Sequence, residues 1–99
     1  MASLEFKTIG SGKLGLKGTK EGKVRKVVNG DDMLRVYSFT VHPVQEEGLL
    51  SAAEASVEIT RVRSVLKYQT DKRQIMVTIE NTGEGTCGYV LVAAIVKLP

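Results

Sequence analysis

The chain has 99 residues, 42% apolar and 25% charged, a composition that fits one globular domain with one modest core and argues against disorder along most of its length. Its longest apolar run, Tyr89 to Val96, is far short of the roughly 20 residues of a membrane-spanning helix. With Cys87 as the one cysteine and His42 as the one histidine, an intrachain disulfide and a Cys/His zinc site are both excluded. The net charge of +3 hides a segregation: residues 1–30 carry a local +5, residues 31–60 a local −5 and residues 61–99 a local +3. A basic first third beside an acidic middle suits head-to-tail contacts between copies as well as it suits a polyanion.

Met1 to Lys7 has neither the basic stretch nor the apolar stretch of a secretory signal. The expectation is a protein used in the cytoplasm, or assembled there on a virion or other particle. Residues 10–22 hold five glycines and read as a flexible or extended Gly/Lys-rich segment with tight turns. Leu14 and Leu16 alternate with Gly15 and Lys17, which allows a short edge strand inside it. Asn29-Gly30 then lies between Val24–Val28 and Met33–Val41, both rich in β-branched and aromatic residues. Asn-Gly supports the positive φ angles of a type I′ turn, so a hairpin is expected here, lengthened by Asp31 and Asp32. Pro43 should end its second strand, because it cannot donate to a ladder.

Ser51 and Glu54 have capping-box spacing, which allows one short helix near 49–55. Leu50, Ala53, Val57, Val62 and Val65 roughly follow helical spacing, but the β-branched Val57, Ile59, Thr60, Val62 and Val65 favour a strand. Gln69–Lys72 is a polar turn. Ile75, Val77 and Ile79 alternate with Met76, Thr78 and Glu80 as in a half-buried strand. After the turn Asn81–Gly85, the run Tyr89–Val96 is apolar on both faces. That suits a central strand, or one whose outer face meets another subunit. Together these elements predict an all-β fold: an antiparallel sandwich, immunoglobulin-like or jelly-roll-like, or a small barrel.

The segment Val77-Thr78-Ile79-Glu80-Asn81-Thr82-Gly83-Glu84-Gly85 resembles the strand and turn of immunoglobulin-like cell-adhesion modules. In those modules several strands follow the turn, whereas one follows it here, and no function of that family is carried over.

The chemistry in the sequence is sparse. Gly10-Ser11-Gly12-Lys13 has part of a phosphate-loop pattern, but Lys7 and Leu14 stand where the pattern needs a glycine and a Ser or Thr. His42 beside Pro43 reads as a surface histidine, and Cys87 as a small buried hydrophobe with no base to activate it. The acidic residues Asp31, Asp32, Glu46, Glu47, Glu54 and Glu58 lack the spacing of a calcium loop. The basic cluster Lys13, Lys17, Lys20, Lys23, Arg25 and Lys26 is the candidate polyanion site. Tyr37 and Phe39, at two-residue spacing, belong on one strand face, either for base stacking or for the core.

No catalytic residues and no cofactor are expected. The leading expectation is a structural or assembly protein that pairs with copies of itself or decorates a larger assembly, such as a phage or virus capsid-decoration or tail component. Its expected interface is Tyr89, Leu91, Val92, Ile95 and Val96 on the last strand. A nucleic-acid or other polyanion-binding module is the alternative, followed by a carbohydrate- or ligand-binding sandwich, which the shortage of aromatics disfavours.

Overall fold

The computed structural model describes residues 3–30, 35–45, 55–66 and 73–98. The described residues form six strands: β1 (Ser3–Leu14), β2 (Lys23–Gly30), β3 (Arg35–Val44), β4 (Val57–Leu66), β5 (Arg73–Asn81) and β6 (Cys87–Lys97), with one 3₁₀ turn at Lys20–Gly22. They form two three-stranded antiparallel sheets, a first of order β1-β6-β3 and a second of order β2-β5-β4. The expected all-β sandwich is therefore what the chain forms.

The two most apolar strands take the two centres. On β5, Ile75, Val77 and Ile79 are buried, and on β6 Cys87, Tyr89, Leu91 and Ala93 are buried, each set at alternate positions. These inward rows meet between the sheets. Ile9, Val24, Val28, Tyr37, Phe39, Val41, Val57 and Ile59 on the edge strands close round them.

The hairpin expected at Asn29-Gly30 does not form. β2 pairs with β5, setting Asn29 opposite Gln74 and Gly30 opposite Arg73, whereas β3 pairs with β6 in the other sheet. The reason is tertiary. Each edge strand gains more by lying beside an apolar central strand than by pairing with its sequence neighbour, and packing outweighs local turn chemistry. Asp31 and Asp32 lie outside the described residues. Of the five connections, only β4–β5 joins strands of one sheet.

Smaller corrections follow the same logic. β3 runs past Pro43 to Val44, and it is an edge strand, where proline is tolerated. Gly10 to Leu14 belong to β1, so the glycine-rich segment is half strand. Leu16 lies in the turn that follows and is exposed, whereas Leu14 is buried. That turn is compact: the Gly15 N–H donates to the Glu21 carbonyl at 2.8 Å and the Gly22 N–H to the Thr19 carbonyl at 3.1 Å. The strand reading of 57–65 holds as β4, and residues 49–54, where a helical turn was an option, lie outside the described residues.

Two register shifts decide which side chains face outward. One falls between Thr8 and Gly10 on β1, the other between Ile59 and Arg61 on β4. An extra residue flips the alternation, because strand side chains have a period of two. On β4 this leaves Ile59 and Val62 facing inward but turns Arg61 and Arg63 outward.

Candidate functional site

The register makes the two outer faces unlike. On the first sheet the outward positions are Leu4, Phe6, Thr8, Ser11 and Lys13 on β1, with Val36, Ser38, Thr40, His42 and Val44 on β3. Between them lie Gly88, Val90, Val92, Ala94 and Val96 of β6. Leu4 is 59%, Phe6 69% and Val36 52% exposed, so this apolar surface faces solvent. Among the described residues, its only ionisable groups are Lys13 and His42, both at one end.

The second sheet is the reverse. Its outward rows run Lys23–Glu80–Glu58, then Arg25–Thr78–Arg61, then Val27–Met76–Arg63. Arg25 and Arg61 thus flank Thr78 across the sheet, and Arg63 follows Arg61 on the same face. A shallow groove of about 690 Å³ lies over these rows, with Lys20, Lys23, Arg25, Thr60, Arg61 and Thr78 among its walls. Lys23 lies 3.8 Å from Glu80. Arg25, Arg61 and Arg63 have no ion-pair or hydrogen-bond partner among the described residues.

The structure disperses the basic cluster that the sequence groups together. Lys20, Lys23 and Arg25 reach the outer face of the second sheet. Lys13 is on the first sheet, and Lys17 pairs with Glu84 in the adjoining turn. Lys26 points between the sheets, its ammonium 6.0 Å from the centre of the Tyr89 ring. Its stem occupies the space beside Gly10, where an added Cβ would come within 3.0 Å of it. Arg61 and Arg63 were missed. The sequence hint was their alternation with Val62, but the bulge that turns them outward and their register with Thr78 are tertiary facts.

The expected interface on β6 is also divided. Tyr89 and Leu91, only 3% and 0% exposed, are consumed by the core and cannot face another subunit, which corrects that expectation. Ile95 shares their inward parity and is half-buried, while Val92 and Val96 lie on the outer apolar face.

Gly10–Lys13 sit in the β1 ladder opposite Leu91 to Gly88, so they form a strand and no phosphate cradle. His42 is exposed on the outer face of the first sheet and Cys87 is buried on its inner face, so the sheet separates them. Burial pushes the Cys87 thiol up. Its ionisation is therefore favoured more in the unfolded chain, and stability should be full below the ordinary thiol range and decline as pH rises through it. Cys87→Ala should remove that part of the alkaline decline, which urea titrations of both proteins between neutral and alkaline pH would measure.

A cleft of about 300 Å³ opens between β3 and β4, with Tyr37, Phe39, Val62 and Arg73 in its walls. The Tyr37 and Phe39 rings stack 6.2 Å apart, on one strand face as expected, and both pack against the core. Arg73 donates to the Arg35 carbonyl at 3.2 Å and lies 6.0 Å from the Tyr37 ring centre. Among the described residues no group of three His, Cys, Asp or Glu could hold a metal ion, and no helix is long and apolar enough to cross a membrane.

The fold and its surfaces define a small antiparallel sandwich with one apolar and one cationic outer face. The chain matches no protein-family model, no curated protein and no solved structure.

Proposed function

We propose that this protein is a non-catalytic assembly module that pairs with a second copy of itself through the outer face of the first sheet. The observation that carries the reading is the almost uncharged outer face formed by Leu4, Phe6, Val36, Val92 and Val96. From ordinary strand spacings the whole outer face, its Ser, Thr, His42 and Lys13 positions included, spans roughly 33 by 14 Å, a flat area of roughly 450 Å². The largest apolar patch of a typical monomer is roughly 300–600 Å² and is often functional. With side-chain relief, two such faces together approach the roughly 1,200 Å² at which specific interfaces begin.

A second copy suits this face better than an unlike partner because a two-fold interface sets the same patch on both sides, and here that brings few like charges together. The sheet edges are poorer candidates: bulges interrupt β1 and β4, Pro43 interrupts β3, and Lys and Arg line β2. Display of such pairs on a larger particle is the more specific form of the reading.

Light scattering after size exclusion, at low and high salt, tests it. A dimer at both salts is expected, with Phe6→Glu/Val92→Glu a folded monomer. A monomeric wild type at the highest attainable concentration, or a variant that stays dimeric, would sink the proposal.

A further inference from the structure

We infer that the outer face of the second sheet binds the phosphate backbone of single-stranded nucleic acid, with Arg25, Arg61 and Arg63 as its principal contacts and Lys20 and Lys23 at one end. The inference goes beyond assembly and uses the opposite face of the sandwich.

Arginine is the residue suited to this role. Its planar fork of donors matches two oxygens of a phosphate at once, and it stays charged at any pH the protein survives. A carboxylate partner offsets an arginine's charge, but these three have no partner among the described residues. Their arrangement is linear. Arg61 and Arg63 are two residues apart on one strand face, roughly 6.6 Å along it, comparable to the separation of successive phosphates in an extended strand. Arg25 stands across the sheet from Arg61, roughly 10 Å away at two inter-strand spacings. A backbone lying in the groove between them passes over the Thr78 hydroxyl, with Thr60 also in the wall. The shallow groove admits a polymer, and five cations face two acids, Glu58 and Glu80, in the outward rows and their flank.

A single strand fits better than a duplex. Reading a major groove takes a protruding helix or a two-stranded ribbon, and this surface is a sheet face with neither. No aromatic side chain stands at its outward positions, so base stacking is absent and binding is indifferent to sequence. Contact with the four cations Lys23, Arg25, Arg61 and Arg63 gives a slope of log K against log salt of about −3, at about −0.7 per phosphate neutralised on a single strand.

The test is fluorescence anisotropy with labelled oligothymidine and oligouridine over a salt series. The wild type is compared with Arg25→Gln/Arg61→Gln/Arg63→Gln and with a control of equal charge loss elsewhere, Lys7→Gln/Lys13→Gln/Lys17→Gln. The arginine variant is expected to bind at least roughly tenfold more weakly at low salt, with its slope reduced to about −1, while the control keeps most of the affinity and slope. Circular dichroism and solution mass verify that each variant is folded. Should the triple variant fail that check, Arg61→Lys/Arg63→Lys keeps the charge but loses the fork, and weaker binding is still expected. Equal losses in variant and control would overturn the inference, because net charge alone would then explain binding. No binding by the wild type at low salt, or binding to heparin but to neither oligonucleotide, would overturn it too. The dimer interface proposed above is untouched by these arginine substitutions, so the solution mass reports on that proposal separately.

Discussion

Asn81→Asp is expected to destabilise the protein by about 3 kcal/mol or more at neutral pH, since it sets a charge in a site built for two donated hydrogen bonds. Asn81 is 3% exposed, at an inward position where β5 would otherwise continue its apolar row of Ile75, Val77 and Ile79. Its amide nitrogen donates to the Gly15 carbonyl at 2.7 Å and to the Gly85 carbonyl at 2.8 Å, while its oxygen accepts from the Gly83 N–H at 3.0 Å. One side chain thereby ties the β1–β2 turn to the β5–β6 turn. A carboxylate keeps the acceptor and loses both donors, and its second oxygen faces two carbonyls. Those carbonyls raise the folded pKa of the introduced acid above the ordinary Asp value of about 3.9. The sign follows: the penalty is smallest below about pH 4, where the acid is neutral in both states, and grows as pH rises. Urea denaturation at several pH values checks this. A variant as stable as wild type at neutral pH, or one whose deficit shrinks as pH rises, would refute the role given to Asn81.

Gly22→Ala is expected to cost about 3 kcal/mol. A Cβ at Gly22 would stand 2.2 Å from the Leu16 carbonyl oxygen and 3.0 Å from its carbon. Backbone cannot swing aside as a side chain can, so the whole turn must shift and disturb the Gly15–Glu21 hydrogen bond beside it. Gly18→Ala is the internal comparison. Gly18 has φ +77° with open space around it, so only conformational strain of about 1–2 kcal/mol is expected there. Thermal or urea melts of the two variants should rank Gly22→Ala as the more damaging. The reverse order would show that the turn relaxes freely.

Much of the fold was legible because strands announce themselves by alternation. Ile75, Val77 and Ile79 are buried as their spacing predicts, and Tyr89–Val96 is a central strand, one of the two placements its two apolar faces suit. Pairing was not legible. Asn29-Gly30 has the local chemistry of a hairpin, yet strands β2 and β3 part to opposite sheets, because the choice depends on which distant strand offers the best apolar neighbour. The same blindness split the basic cluster. Residues close in sequence, Lys13, Lys23 and Lys26, end on three different surfaces, while Arg25 and Arg61 share a row through Thr78. Asn81 read as part of a polar turn, since nothing local indicates that its side chain folds inward to hold two loops.

The partnership of the first strand with the last has a kinetic cost. β1 pairs only with β6, Ser3 against Lys97 and Leu14 against Cys87, and β3 awaits β6 as well. On a ribosome adding about 5–20 residues per second, β1 must stay unpaired while roughly 80 further residues are made, on the order of 4–16 s. Only the β4–β5 pair can close early by a short loop. Such distant pairings place the domain among slow folders, milliseconds to seconds rather than microseconds. The apolar side chains Leu4 and Phe6 of β1 are then without their β6 neighbours for the whole interval, a time in which unpaired strands are open to association.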